Sequence, residues 1–377
     1  MKKLYSALSI IIISTSFIFA REYKPVLHIQ PSVRQQGFGG FYTTDVKDFY
    51  GLYANPATLG LNVPHSLFPS LDLHLAGPLA DIPRFVRSLE NNDTSVISDI
   101  IEKENGFRLS MDLQPFLSFG HISSFGFGWG ISTQPFMKVE IPGITSSDFN
   151  VGLETVFTAG YGFSPLNTDN HRLSIGVTTK GFFQIAGVMN DGILDVVDTL
   201  SDGNLKNIPS YVTTGFSFDA GIFYSLCNML DVALVVYDPW SLVLSSKSTL
   251  GDIFKFNFKK TDGFDPRIAA GLCYHIYTDW SRGKISELNI RADYRNFMVL
   301  FDDLSRNPIL ELSAGIEAVF VDIISLRFGI SEMYPCAGVG LKFSNFNIDF
   351  AIYGKELGLE PGSCPCLNSS IFIGFKF

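Results

Sequence analysis

Tyr211-Val212-Thr213-Thr214-Gly215-Phe216-Ser217-Phe218-Asp219-Ala220-Gly221-Ile222-Phe223-Tyr224-Ser225-Leu226 separates into two faces when read at every second residue. Val212, Thr214, Phe216, Phe218, Ala220, Ile222, Tyr224 and Leu226 make one face. Thr213, Gly215, Ser217, Asp219, Gly221, Phe223 and Ser225 make the other. Side chains of a β-strand point alternately to opposite faces, so this stretch reads as one long, two-sided strand. It is far longer than the strand of about five or six residues usual in soluble domains.

The pattern recurs outward from there. Leu288, Ile290, Ala292 and Tyr294 alternate with Asn289, Arg291, Asp293 and Arg295, and Leu312 to Phe320 alternate with Glu311 to Glu317. Ile324–Ser331, Phe346–Tyr353 and the stretch from 171 to 187 repeat it. Cys227-Asn228, Val321-Asp322 and Ser344-Asn345 are short enough to be tight turns between antiparallel neighbours. Asn190–Pro209 and Gly354–Leu367 are longer and read as loops at the opposite end.

Composition says what solvates the apolar face. The 377 residues include 35 Phe and 34 Gly, and only 17% are charged. A soluble domain usually carries about 25%. The formal net charge of −9 argues against a nucleic-acid partner, which needs a basic face. Lys2 and Lys3, the apolar run Leu4–Phe19 and Ala20 read as a cleaved export signal, with the mature chain starting at Arg21. That run is shorter than the ~20 residues of a spanning helix, and no later window is apolar enough to be one. An exported, greasy, two-sided β chain crosses a bilayer only as a closed barrel. The expected fold is therefore an all-β transmembrane antiparallel barrel in the cell outer membrane. Strand-like windows from about residue 65 onward give fourteen or fifteen, and the even number preferred by such barrels selects about fourteen. Residues 62–377 are assigned to the barrel. Within it, Ile82, Phe85, Val86, Leu89, Val96, Ile97, Ile100 and Ile101 fall at helical spacing, so 79–104 reads as a helical insertion on the rim or over the lumen. The closing strand Ser370–Phe377 ends on an aromatic, and Phe377 is read as a signal to the barrel-assembly machinery.

The first mature segment runs Gln36-Gly37-Phe38-Gly39-Gly40-Phe41-Tyr42-Thr43-Thr44-Asp45, then Tyr50-Gly51-Leu52-Tyr53-Ala54-Asn55-Pro56-Ala57-Thr58-Leu59-Gly60. A Gly-rich lead followed by Asn-Pro-Ala resembles the start of the FadL-type long-chain fatty acid transporters of the outer membrane. Gly215–Ser241, with Tyr237-Asp238-Pro239-Trp240, and Leu326–Gly358 resemble a branch of that group found in spirochaetes; the wider group includes the type IX secretion shuttle proteins. The resemblance implies a fourteen-stranded barrel whose lumen is plugged by an N-terminal hatch, placed here at 21–61. It implies hydrophobic ligands, such as fatty acids, that bind in the barrel and leave when the hatch moves or through a lateral opening. Gly39, Gly40, Asn55, Pro56 and Ala57 would form the hatch motif. Asn55-Pro56 is equally readable as the turn into the first strand, and the two readings are compatible. Other uses of such a barrel are protein secretion, assembly or adhesion.

Lys180, Asp219, Arg291, Asp293, Arg295, Glu311, Glu317, Arg327 and Asp349 fall on the lumen face. Charges there pair with one another or with the plug. The sharper alternative is that Arg291, Arg295 or Arg327 grips a ligand carboxylate, beside apolar Phe182 and Phe223. Of five cysteines, Cys364 and Cys366 are too close for an unstrained ring, so a disulfide of either with Cys336 is at least as reasonable, and one cysteine is left over. The six histidines show no metal-ligand spacing, and no phosphate loop, nucleophile elbow or carboxylate pair is present, so neither cofactor, metal nor enzyme activity is expected.

Overall fold

A computed structural model describes residues 31–375 apart from short stretches at 41–42, 46–48, 68–69, 79–80, 91–94, 97–98, 101–105, 115–117, 144–145, 190–204, 253–254, 302–305 and 345. The export signal and Phe377 lie outside the described residues. The strands are β1 (His65–Leu67), β2 (Ser70–Ala76), β3 (Phe107–Gln114), β4 (Phe119–Ile122), β5 (Phe127–Gly143), β6 (Ser146–Asn167), β7 (His171–Met189), β8 (Pro209–Leu226) and β9 (Leu230–Thr249). They continue as β10 (Lys259–Thr261), β11 (Arg267–Ile276), β12 (Ile285–Tyr294), β13 (Leu312–Phe320), β14 (Ile324–Ser331), β15 (Tyr334–Lys342), β16 (Phe346–Glu356) and β17 (Pro365–Phe375).

All belong to one antiparallel sheet that closes on itself where β17 pairs with β2. β1 pairs with β4 beside the β2–β3 pair, and β10 lies along β9 beyond β11. These three short strands extend ring positions already filled, which leaves a closed barrel of fourteen. Closure removes every free sheet edge, which is what permits a sheet to be surrounded by lipid.

The two walls differ in height. β5 to β9 are 17 to 22 residues long, whereas β11 to β17 have 8 to 11. A tilted strand crosses a bilayer with about 9–11 residues. The short wall just spans; the tall wall projects beyond it.

Short turns gather at one end. Cys227 bonds Asn170, His275 bonds Met229, Val321 bonds Lys284 and Lys342 bonds Ile323 across the backbone, so the connections near 168–170, 227–229, 277–284 and 321–323 form one rim. Cys227-Asn228 and Val321-Asp322 have paired left-handed φ values of 52° and 54°, and of 50° and 58°. That geometry follows the right-handed twist of the flanking strands. Glu332-Met333 makes a third such turn at the far rim, φ 53° and 71°, with no Gly or Asn to announce it. The far rim also carries the longer connections. The one around 357–364 is shorter than the sequence suggested, because β16 runs to Glu356 and β17 starts at Pro365.

Alternation holds around the ring. On β7, Ser174, Thr178, Lys180, Phe182 and Gln184 are buried, while Val177 and Phe183 are exposed. On the short wall Ile290, Phe328, Ile330, Val339, Phe350 and Ile352 are exposed outward and Arg291, Glu317, Arg327 and Asp349 are buried inward. A continuous exposed apolar belt of this size calls for a lipid or protein covering. In the stretch from 79 to 104, a helix α1 (Ile82–Glu90) is described. Ile100, with Ile82 and Val96, packs on Phe107, Val139 and Ile141. These odd-numbered positions are on the outer face of β3 and β5, since Asp112, Gln114 and Gln134 line a recess on the inside. Ile82, Val96 and Ile100 thus pack on the outside of the rim.

Candidate functional site: the plugged lumen

The described residues between 31 and 62 lie inside the barrel. A helix α2 (Val33–Gln36) begins with a reciprocal cap: Ser32 accepts from Gln35 N–H, and Gln35 Oε1 accepts from Ser32 N–H at 3.0 Å. A second short helix, α3 (Gly51–Ala54), leads into Asn55 and the 3-10 turn Pro56–Leu61. Pro supplies the fixed φ that a helical start wants. Asn55 Oδ1 accepts from Ala57 N–H at 2.9 Å, while Asn55 Nδ2 donates to Thr43 O at 3.0 Å.

Inward-facing glycines make the room for this segment. A Cβ on Gly176 would stand 2.1 Å from the Pro56 carbonyl oxygen, one on Gly315 2.0 Å from that of Phe38, and one on Gly162 2.5 Å from Gly60 N. Such distances are far inside van der Waals contact, so any side chain there displaces the plug backbone. Around these approaches, Leu52, Leu59 and Phe49 form an apolar cluster with Ile122, and Ala57 and Leu61 pack on Phe223 and Ala233. Ser174 and Arg172 of β7 and Tyr237 of β9 donate to the plug carbonyls of Ala57, Leu61 and Ala54.

On the short wall the contact is ionic. Arg34 donates to Asp45 at 2.8 Å and to Glu317 at 2.8 and 2.9 Å. Arg327 bridges Glu317 at 2.9 Å and Asp349 at 2.6 Å, and Arg291 lies 3.5 Å from both Asp45 and Glu317. Three guanidiniums therefore face three carboxylates. The Phe38 ring lies 5.4 Å from the Arg34 guanidinium and 5.2 Å from that of Arg291, within cation–π range. Burial alone would raise the Asp45 carboxyl, but Arg34 and Arg291 outweigh it and hold it below its usual range.

The sequence-predicted residues are thus not one site. Arg291 and Arg327 meet at Glu317, whereas Arg295 pairs with Glu332 at 3.1 Å and donates to Leu310 O at 2.6 Å. Each faces a protein partner in place of an external carboxylate. Phe223 lies beneath the plug turn; Phe182 joins Val156, Val243 and Phe264 in an apolar patch farther up the tall wall. Gly39 and Gly40 take φ values of 119° and 107°, which only glycine adopts readily, at the turn out of α2. Cys336, Cys364 and Cys366 are free thiols, and Cys336 is buried against Val33 and Tyr353, so the structure does not form the disulfide entertained from sequence.

Neither a protein-family profile nor a curated protein matches this sequence. Solved structures do. The deltaS2S3 mutant of the TodX monoaromatic hydrocarbon channel superposes with a TM-score of 0.50 at 11% identity, over 93% of this chain and 100% of that one. The chain has the fold of that channel. The Ralstonia pickettii toluene transporter TbuX gives 0.48 at 13% identity over 93% and 99%, and a Pseudomonas aeruginosa FadL homologue 0.45 at 9% over 92% and 98%.

Three features escaped the sequence reading. The first is the plug's share in the arginine network, because Arg34 and Glu317 are 283 positions apart. The second is a pair of carboxylates, Asp219 and Asp238, around Lys180, each 2.8 Å from its Nζ. Only Asp219 and Lys180 were on the expected lumen face; Asp238 reaches it because its left-handed φ of 50° breaks the alternation of β9. The third is a group of Asp231, Cys273 and His275, whose ligand atoms lie within 4.8 Å of one another. Its visible trace was Cys273-x-His275, two residues on one strand face.

Proposed function

We propose that this protein sits in the outer membrane and passes hydrophobic small molecules by diffusion, with the segment 21–61 as a hatch that must shift to open the path. The observation that carries this reading is the plug itself. Its backbone sits against inward glycines, and its apolar side chains pack with the barrel wall in buried clusters around Ile122 and Phe223. A general porin keeps a polar, water-filled interior instead. The protein of similar fold is a monoaromatic hydrocarbon channel, which agrees with an apolar cargo.

The arginine pairing refines the ligand class. A fatty acid's carboxylate would have to displace Glu317, Asp349 or Glu332 from the arginines that hold them. Uncharged hydrocarbon-like molecules face no such competition, so they come first and long-chain fatty acids second. The test is uptake into liposomes holding the mature protein, with toluene, a labelled long-chain fatty acid and a sugar in parallel. Toluene should enter faster than the fatty acid, and the sugar not at all. Uptake no faster than into empty liposomes for both apolar probes sinks the transport reading.

A further inference from the structure

We propose that Asp231, Cys273 and His275 form a binding site for a divalent metal ion of the zinc class on the inner face of the barrel, near the short-turn rim. The site follows from strand register. Asp231 of β9 and Cys273 of β11 are directly opposed, and His275 is two residues along β11 on the same face. Asn289 of β12 is opposed to His275.

The distances suit ligation. His275 Nε2 lies 2.7 Å from Asp231 Oδ2 and 3.7 Å from Cys273 Sγ. In a tetrahedral zinc site, with bonds of about 2.3 Å to sulfur and ~2.0 Å to nitrogen and oxygen, neighbouring donors are about 3.3–3.6 Å apart. The sulfur–nitrogen pair is already at that spacing; the oxygen–nitrogen pair has to open by about half an ångström on metal entry. His275 Nδ1 is 2.5 Å from Asn289 Oδ1. With Asn289 holding Nδ1, Nε2 is turned toward the other two ligands, the outer-shell arrangement common to metal-bound histidines.

Charge balance suits the site. A zinc-class ion held by a Cys273 thiolate, the Asp231 carboxylate and a neutral His275 imidazole makes a centre with no net charge. Neutrality is what a buried centre needs, since Cys273 and Asp231 are both buried. His275 is partly exposed, its side chain 30% accessible, and gives an entry path. Three protein ligands leave a fourth position for water, as in metal sites that stay open to exchange. Arg291, opposed to Cys273 on the other side, does not oppose the cation strongly, because Asp45 and Glu317 already face it. None of this depends on the transport reading.

Cobalt(II) titration of the detergent-folded full chain tests the site, because cobalt bound to a thiolate absorbs in the near ultraviolet by sulfur-to-metal charge transfer. One equivalent should give that band, zinc should bleach it, and Cys273→Ser should abolish it. A variant with Cys227, Cys336, Cys364 and Cys366 all changed to Ser should keep it. Asn289→Ala should weaken cobalt affinity 10- to 100-fold through the lost orientation of His275. Heat-modifiable migration on gels confirms that each variant holds its barrel. No charge-transfer band in the wild-type chain overturns the proposal, as does a band that survives Cys273→Ser in a folded barrel.

Discussion

The two walls of the barrel hold the same plug by different physics. From β12 to β16 the wall offers charge: Arg291, Glu317, Arg327 and Asp349 mesh with Arg34 and Asp45 of the plug. From β5 to β8 it offers no ion pair to the plug but glycines where side chains would be, as Gly315 also does on β13, and hydrogen bonds from Ser174 and Arg172 to plug carbonyls. Ionic contact is strong only while every partner is present, since stripping one member from a buried pair leaves a charge with nothing to meet it. Backbone-to-glycine contact has no partner to lose, but it tolerates no added atom. A hatch that moves would release more readily at the second wall, where sliding the backbone costs packing and a few hydrogen bonds but separates no ion pair.

Breaking the ionic side should have the largest effect. Glu317 accepts from both Arg34 and Arg327, so Glu317→Gln removes one charge from two bridges. The expected cost is about 3–5 kcal/mol in plug docking, as for other broken buried pairs. Hydrogen exchange of the amides in α2 would report it as lost protection, with the barrel strands unchanged; full protection in the variant would mean that the plug does not need the network. Acid sharpens the same point. The folded Asp45 carboxyl is below its unfolded value, so its contribution is complete above the unfolded range of about 4 and is lost as falling pH protonates the folded form. Protection of α2 should therefore be flat through neutral and mildly acidic pH and fall in stronger acid.

The glycine side should break next. Gly176→Ala places a methyl 2.1 Å from Pro56 O, and Gly181→Ala on the same strand meets nothing within 4 Å. The first should cost about 1–3 kcal/mol through overpacking, expelling the Asn55–Leu61 turn. The second should be neutral. Toluene uptake should rise in Gly176→Ala liposomes and not in Gly181→Ala ones; equal uptake would separate the turn from any gating role.

Much of this molecule was legible as alternation, and the reason is local. A side chain's face depends only on its parity along one strand, so Tyr211–Leu226 announced itself and the ring of about fourteen strands followed. Glu332-Met333 was missed because its turn is set by the register of β14 and β15, not by turn-forming residues. The candidate site was legible only in part. Arg291 and Arg327 were correctly placed facing inward, and Glu317 opposes Arg327 across the β13–β14 hairpin, but Asp45 comes to them only when the N-terminal segment enters the barrel. The inward glycines were visible as members of the mixed face, but nothing in a single strand says that a missing side chain is room for another segment. Asp231, Cys273 and His275 were overlooked because metal spacing was sought along the chain, whereas a sheet supplies ligands at i, i+2 and across to a neighbour.

Asn55 carries the smallest expected effect and joins the two sequence readings of the Asn-Pro step. Its Oδ1 caps the turn through Ala57 N–H, which is the role of a turn starter. Its Nδ2 holds Thr43 O, which ties that turn to the preceding arm of the plug, and this is the role of an anchor. Asn55→Ala should lose both, about 1 kcal/mol in all, read from denaturant-dependent exchange of the Ala57 and Thr58 amides. Asn55→Ser keeps an oxygen able to cap but has no amide to donate. If serine restores wild-type protection, Asn55 starts a turn and nothing more, and the hatch hangs on its glycines. If serine recovers only part of the loss, the remainder measures the anchor, and the turn and the arm move as one body when the tall wall lets go.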